Sequence, residues 1–218
     1  MIEIFYENIK SEYKIYAAKI FDDINLGFIE LENDISENEK DEYFKISNEK
    51  RKKEWLSIRI LLKQILGKYQ SIFYFPNGKP YLIADYNISI SHTTDVLSII
   101  LSKFQNPGID IEIRREKIYK LAHKFMKANE IDFFSGENRF MFIMLNWCAK
   151  ETVFKMQTQG NIDFKNDIEI PAQMIGNSGK IEAFFNKENS RKEYQINYKF
   201  FNSEFMKNKY LMTWCEGS

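Results

Sequence analysis

The chain is 218 residues long, 44% hydrophobic and 16% aromatic, enough apolar material for one large core or two smaller ones. Its 31 Lys and Arg residues balance 31 Asp and Glu, so no long-range field draws nucleic acid or an anionic membrane, and a charged partner must be met by a local patch. The start, "MIEIFYENIK", lacks the basic residues and long apolar run of a secretion signal, and no stretch approaches a membrane span; the cytoplasm is the expected address. Cys148 and Cys215 form no closely spaced pair, which argues against a disulfide framework or zinc ribbon. With only His92 and His123 as histidines, any metal is expected to be a hard ion held by oxygen.

In chain order, "MIEIFY" alternates like a strand, and the charged stretch after it, as far as Lys45, carries no pattern firm enough to assign. Between residues 48 and 66, Trp55, Ile58, Leu62 and Ile65 recur at helical steps and Gly67 supplies a stop. Arg51, Lys52, Lys53, Arg59 and Lys63 occupy the other face of this helix. "SIFYF" and "PYLIA" flank the turn formers of "PNGK", which predicts a hairpin. "NISIS", "VLSIILS" and "PGIDIEI" follow as strands. After Arg115 helices are predicted over 117–127 and from 136 or 137 to 156, the second with Phe140, Ile143, Met144, Trp147 and Phe154 as core anchors. "KIEAFF", "EYQINYKFF" and "YLMTWC" return to strand character. Strands then helix, twice, predict an α+β fold in two lobes, residues 1–105 and 106–218.

Three stretches hold residues able to do chemistry. "PGIDIEI" places Ile109, Ile111 and Ile113 on one face and Asp110 and Glu112 on the other, about 7 Å apart. A half-exposed strand with solvated acids accounts for that pattern, and so does a cation site, because neighbouring carboxylates repel and a divalent ion relieves the repulsion. "WCAKETVFK", Trp147 to Lys155, is core-like except for its charges. Glu151 and Lys155 form an i,i+4 pair in the favourable order, which an ordinary surface pair also satisfies. "ISISHTTD" puts Ser89, Ser91 and His92 near a strand end, as phosphate ligands or as hydrogen-bonded surface residues. "KRKK" reads as a solvated helix face.

Taken in order, "RKKEWLSIR", "GKP", "ISHT", "GIDIE" and "WCAKETVFK" resemble the Sfp-type 4′-phosphopantetheinyl transferases, whose signature is G-(I/V)-D-x-E followed by W-(S/C)-x-K-E-(A/S)-x-x-K. The matched elements run from Arg51 to Lys155. Ser89 stands where that family carries an amide, Thr152 where Ala or Ser is common, and Pro107 where a branched aliphatic is usual. These departures touch the coenzyme pocket rather than the reaction.

The resemblance implies two similar α+β lobes related by a pseudo-twofold axis, with coenzyme A in the cleft between them. It implies Mg²⁺-dependent transfer of 4′-phosphopantetheine to a serine of an apo acyl, polyketide or peptidyl carrier protein, the holo-[acyl-carrier-protein] synthase reaction, with release of adenosine 3′,5′-bisphosphate. On the same ground Asp110, Glu112 and Glu151 hold the metal, and Glu151 is also the general base. Lys155 and Lys150 steady phosphate charge, and Arg51, Lys79, Pro80, Ser91, His92 and Lys155 surround the coenzyme. Arg59 matches a recurrent position that also allows a structural role, and Glu130 a recurrent supporting acid. The isoleucines of "PGIDIEI" become the anchor of the acidic strand in the second lobe's core. One polypeptide forms the whole cleft, so a monomer is expected, and "KRKK" or "RREK" would suit an acidic carrier. Two alternatives stay open: another Mg²⁺-dependent phosphate-handling enzyme, and a catalytically silent coenzyme A-binding module of the same fold.

Overall fold

The computed structural model describes residues 1–131, 133, 135–158, 160–187, 190–202 and 209–217. Helices and antiparallel sheets mix in both of its units, Met1–Lys103 and Phe104–Ser218, and the architecture is α+β.

The first unit begins with an antiparallel pair, β1 (Ile4–Ile9) and β2 (Tyr13–Lys19), followed by helices α1 (Ile24–Leu31), α2 (Glu37–Lys45) and α3 (Glu49–Leu66). A short hairpin, β3 (Phe73–Tyr74) and β4 (Pro80–Tyr81), precedes β5 (Asn87–Thr93) and β6 (Val96–Ser102). The sheet order is β1-β2-β6-β5. Strand β6 is buried at every position, as a continuous apolar run in a central strand should be. Leu97, Ile99 and Leu101 share one face, where they join Tyr16, Ala18 and Ile88 of the flanking strands and Leu56, Ile60 and Leu61 of α3 in one core. Helix α3 starts and stops as its sequence predicts: the Asn48 side chain accepts from Arg51 N at 3.1 Å, and Gly67 closes the helix at φ 70°, a left-handed conformation that glycine takes without strain.

The stretch without a readable pattern holds β2, α1 and α2. Helix α2 opens on a capping box, in which Ser36 Oγ accepts from Glu39 N while the Glu39 carboxylate accepts from Ser36 N. The same carboxylate accepts from Tyr69 Oη at 2.6 Å, Ser71 Oγ at 3.0 Å and Arg59 Nε at 3.3 Å. Arg59 is therefore not on the solvated face of α3. It is 1% exposed, stacked on the Trp55 ring at 3.5 Å, and structural.

The second unit runs β7 (Gly108–Ile113), three short helices α4 (Glu116–Lys120), α5 (Ala122–Phe125) and α6 (Ala128–Ile131), the long α7 (Gly136–Met156), and then β8 (Ile168–Glu169), β9 (Ser178–Lys187), β10 (Ser190–Asn202) and β11 (Lys209–Cys215). Its sheet order is β7-β11-β10-β9-β8. The helix expected over 117–127 is broken into α4 and α5. Met144, Leu145, Cys148, Ala149 and Val153 of α7 pack on Ile181, Ala183, Ile196 and Leu211 of the sheet. Phe154, expected as a core anchor, is 42% exposed and lies against Phe164. Cys148 and Cys215 are free and buried. No helix among the described residues is long and apolar enough to cross a membrane.

The Glu39 cluster sets a pH dependence. Burial pushes this carboxyl up, but the bonds from Tyr69, the Ser36 backbone and Ser71, with the Arg59 charge, outweigh it and hold the pKa below the usual range. The stabilisation is thus complete above about pH 4.3 and lost as pH falls through the depressed value. Glu39→Gln is expected to cost on the order of 3 kcal/mol in urea unfolding at pH 7, with the gap to the parent narrowing below pH about 4. A gap that ignores pH contradicts the assignment.

Candidate functional site

The site grows from the contact of β7 with α7. Gly108, Asp110 and Glu112 alternate onto the strand face that meets the helix, along with Thr213 of the paired strand β11. At Gly108 the fit is tight: a Cβ there would strike the Thr152 carbonyl oxygen and stand 2.7 Å from Met156 Cγ. Glycine is what allows the strand to lie this close to a helix backbone. The Thr152 and Thr213 hydroxyls lie 2.6 Å apart, and Thr213 Oγ1 donates to the Cys148 carbonyl at 2.9 Å, which ties β11 to the same helix.

The acids, not the isoleucines, face α7. Ile109, Ile111 and Ile113 are buried on the opposite face of the strand, as anchors of the acidic strand are expected to be. On α7, Trp147, Glu151 and Lys155 recur every four residues as one stripe over the acids. Trp147 Nε1 donates to Glu112 Oε1 at 2.9 Å, and Lys155 Nζ donates to Asp110 Oδ1 at 2.8 Å and to the Ile109 carbonyl at 2.9 Å. Glu151 lies between these two contacts on the helix. Asp110 is 4% exposed, so the picture of a wet edge strand is also set aside.

Burial and mutual repulsion dominate the electrostatics. Burial, then the Asp110 charge, raise the Glu112 pKa, against the Trp147 bond and the Arg115 and Lys155 charges. Burial and the Asp110 and Glu112 charges push Glu151 up to about 7, with Lys155 opposing. Among the described residues no group of three or more His, Cys, Asp or Glu side chains is arranged to hold a metal ion. Lys155 engages Asp110 and Trp147 engages Glu112. The donor set nonetheless fits a hard divalent cation, since it offers carboxylate oxygens whose crowding raises the proton affinity of Glu112 and Glu151, a repulsion such an ion relieves.

Lys150, one residue before Glu151, is turned elsewhere. Its ammonium is fully buried and donates to the Phe125 carbonyl at 2.6 Å and the Phe164 carbonyl at 2.7 Å. Burial lowers its pKa to about 8, and Glu130 is the charge that most opposes this. Glu130 itself accepts from Lys127 N at 2.6 Å. By holding those two carbonyls, Lys150 fixes Phe125 and Phe164 against Trp147, with ring centroids 5.0 and 5.7 Å away. A cavity of about 240 Å³ opens beside this cluster, floored by Ile118, Leu121, Phe125 and Trp147 and bordered by Glu112, Arg115 and Lys117.

The remaining expected residues lie in the first unit. Arg51 is exposed in the first turn of α3. Lys79 and Pro80 follow the turn at Gly78, whose φ of 83° suits glycine, and burial lowers the Lys79 pKa. Ser91 is buried, while His92, next along β5, is exposed on the other face. Glu54 of α3 meets His92 and escaped the sequence reading, because the two stand 38 positions apart and no local pattern links them. Trp147, expected as a core anchor and as the first residue of the signature, also joins the charged stripe, which its i,i+4 spacing to Glu151 signals.

A family model described as the 4′-phosphopantetheinyl transferase superfamily matches residues 106–215, just over half of the chain and the whole of the carboxylate cluster. No curated protein matches the chain.

Two outcomes follow from this packing. Gly108→Ala is expected to lower stability by about 2 kcal/mol, and Met156→Ala will not restore it, because the nearer obstacle is backbone; full rescue in the double variant contradicts the contact. A carboxyl raised to about 7 binds its proton more tightly folded than unfolded, so its ionisation destabilises. That penalty is absent below about pH 4, grows towards pH 7 and is complete above. In chelator at pH 8, Glu151→Gln is expected to melt above the parent, and equal melting temperatures there contradict the repulsion.

Proposed function

The chain belongs to the 4′-phosphopantetheinyl transferase superfamily, and we propose that it transfers the 4′-phosphopantetheine group of coenzyme A to a serine of an apo carrier protein. The observation that carries this reading is the convergence of Asp110, Glu112, Glu151 and Lys155 between β7 and α7. In the step proposed, the serine oxygen bonds to the β-phosphorus of coenzyme A. The bond from that phosphorus to the bridging oxygen breaks, and adenosine 3′,5′-bisphosphate leaves with that oxygen.

Glu151 takes the serine proton, as the carboxylate that stands between the Trp147 and Lys155 contacts on α7. Lys155 is the fixed cation at the cluster and steadies charge on the phosphates. Asp110, Glu112 and Glu151 would hold Mg²⁺, which when bound polarises the pyrophosphate and balances leaving-group charge. Lys150 acts at a distance, keeping the aromatic wall in place through Phe125 and Phe164. On this reading Arg51, Lys79, Pro80, Ser91 and His92 of the first unit serve the adenine and 3′-phosphate. Arg115 and Lys117, at the border of the cavity beside Glu112, suit an acidic carrier.

Incubation with apo acyl, polyketide and peptidyl carriers, coenzyme A and Mg²⁺ is expected to add the mass of one phosphopantetheine to at least one carrier. Asp110→Ala and Glu151→Ala are expected nearly to abolish the transfer with unchanged circular dichroism. If the parent protein modifies none of the carriers, the transferase reading falls; if either variant keeps the parent rate, the carboxylate assignment falls.

A further inference from the structure

Glu54 sits at a position that a helix core would ordinarily give to an apolar residue. Its side chain is only 10% exposed, and burying a carboxylate is costly unless it is paired. Its charged partners are Lys50, one turn earlier on α3 at 3.7 Å, and His92 of β5, whose Nδ1 lies 3.2 Å from Glu54 Oε1.

The alternation of β5 explains the meeting. Ile88 and Ile90 turn into the core shared with α3, and His92 is the next residue on that face, at the end of the strand. It is the most exposed of the three, with 42% of its side chain open to solvent, and it lies beside the polar turn of α3 that carries Glu54. A carboxylate on Nδ1 selects the tautomer that carries a proton there and fixes the plane of the ring. It also balances the charge of the imidazolium form.

We propose that Glu54 is a positioning residue for coenzyme recognition: it holds His92 with Nδ1 inward, so that Nε2 meets the 3′-phosphate of coenzyme A. The proposal rests on the transferase reading, which places His92 at the adenosine end of the coenzyme. It adds a residue that touches no substrate and acts through the imidazole. Charge-assisted bonds to phosphate depend on the direction of the donor, so losing the carboxylate weakens recognition without removing the histidine.

The test compares coenzyme A with 3′-dephospho-coenzyme A, by calorimetric binding and by steady-state transfer to a carrier the parent modifies. Glu54→Ala is expected to raise Kd and KM for coenzyme A by about tenfold, equivalent to one charge-assisted bond, and to leave both nearly unchanged for the dephospho form. Its kcat should stay within about twofold of the parent, since this group acts in binding and not in the chemical step. Glu54→Gln keeps the size and one acceptor oxygen, so it is expected to show a smaller rise, and it carries the test if the alanine variant fails to fold. In a His92→Ala background, Glu54→Ala should add nothing.

An equal loss for both coenzymes, or additive effects in the double variant, overturns the proposal, because a merely structural role predicts them. Binding separates the two readings. A parent that binds coenzyme A and transfers to no carrier sinks the transferase reading, while the Glu54 comparison still stands or falls on Kd. A parent that binds neither coenzyme sinks both.

Discussion

The close approach of strand β7 to helix α7 is the constraint on which the candidate site depends. With a side chain at residue 108 the strand would have to retreat from the Thr152 carbonyl. Asp110 and Glu112, two and four residues on and facing the same way, would retreat with it. The threonine pair Thr152 and Thr213 works in the same direction, since a hydroxyl contact of 2.6 Å holds β11, and through its register β7, against the helix. Ordinary packing thus sets the distance at which three carboxylates are forced to notice one another.

That forced proximity carries a cost the fold does not need for its own stability. Among the pairs described here, Lys155 on Asp110 and the indole of Trp147 on Glu112 each satisfy one acid, and Glu151 is left to absorb the repulsion by holding its proton up to about pH 7. Asp110, Glu112 and Glu151 crowd negative charge together, which a divalent cation would offset. The first unit supplies a contrast. There Glu39 is equally surrounded, but by donors and a guanidinium, and its pKa falls instead of rising. The same residue type keeps its charge where its partners oppose it and holds a proton where they repeat it.

Much of this was readable in the sequence, and what was not has physical reasons. Period-two alternation put Asp110 and Glu112 on one face, and four-residue spacing put Glu151 in line with Lys155, because both rules follow from local backbone geometry. Alternation cannot say which face of a strand meets a helix when both faces are buried, so it left open that the acids face α7 while the isoleucines bury on the other side. Arg59 looked solvated because a helical pattern does not reveal a carboxylate arriving from another helix, and Glu39 lies twenty residues earlier. Glu54 and His92 are likewise joined only by the fold. Helices α1 and α2 run only eight and nine residues, too short for a period to stand out, although Ser36 and Glu39 do spell a capping box. The mixed architecture survived these misses, since it rests on long elements such as α3, α7 and β6.

The two lysines of "WCAKETVFK" show why a motif and a mechanism are different things. Lys155 is four residues from Glu151 and eight from Trp147, so a period of 3.6 keeps all three on the side of α7 that covers β7. Lys150 is offset from that stripe by roughly 100° per residue, enough to send its ammonium to Phe125 and Phe164. Those two carbonyls take hydrogen bonds that a buried ammonium must find somewhere, and in return the chain segments bearing them are pinned to the helix. A buried lysine serves this purpose because its three donors can bridge backbone from separate chain segments, at the cost of a depressed pKa. Both lysines belong to the signature, but the helix assigns one to charge at the cluster and the other to the wall that shapes the cavity beside it.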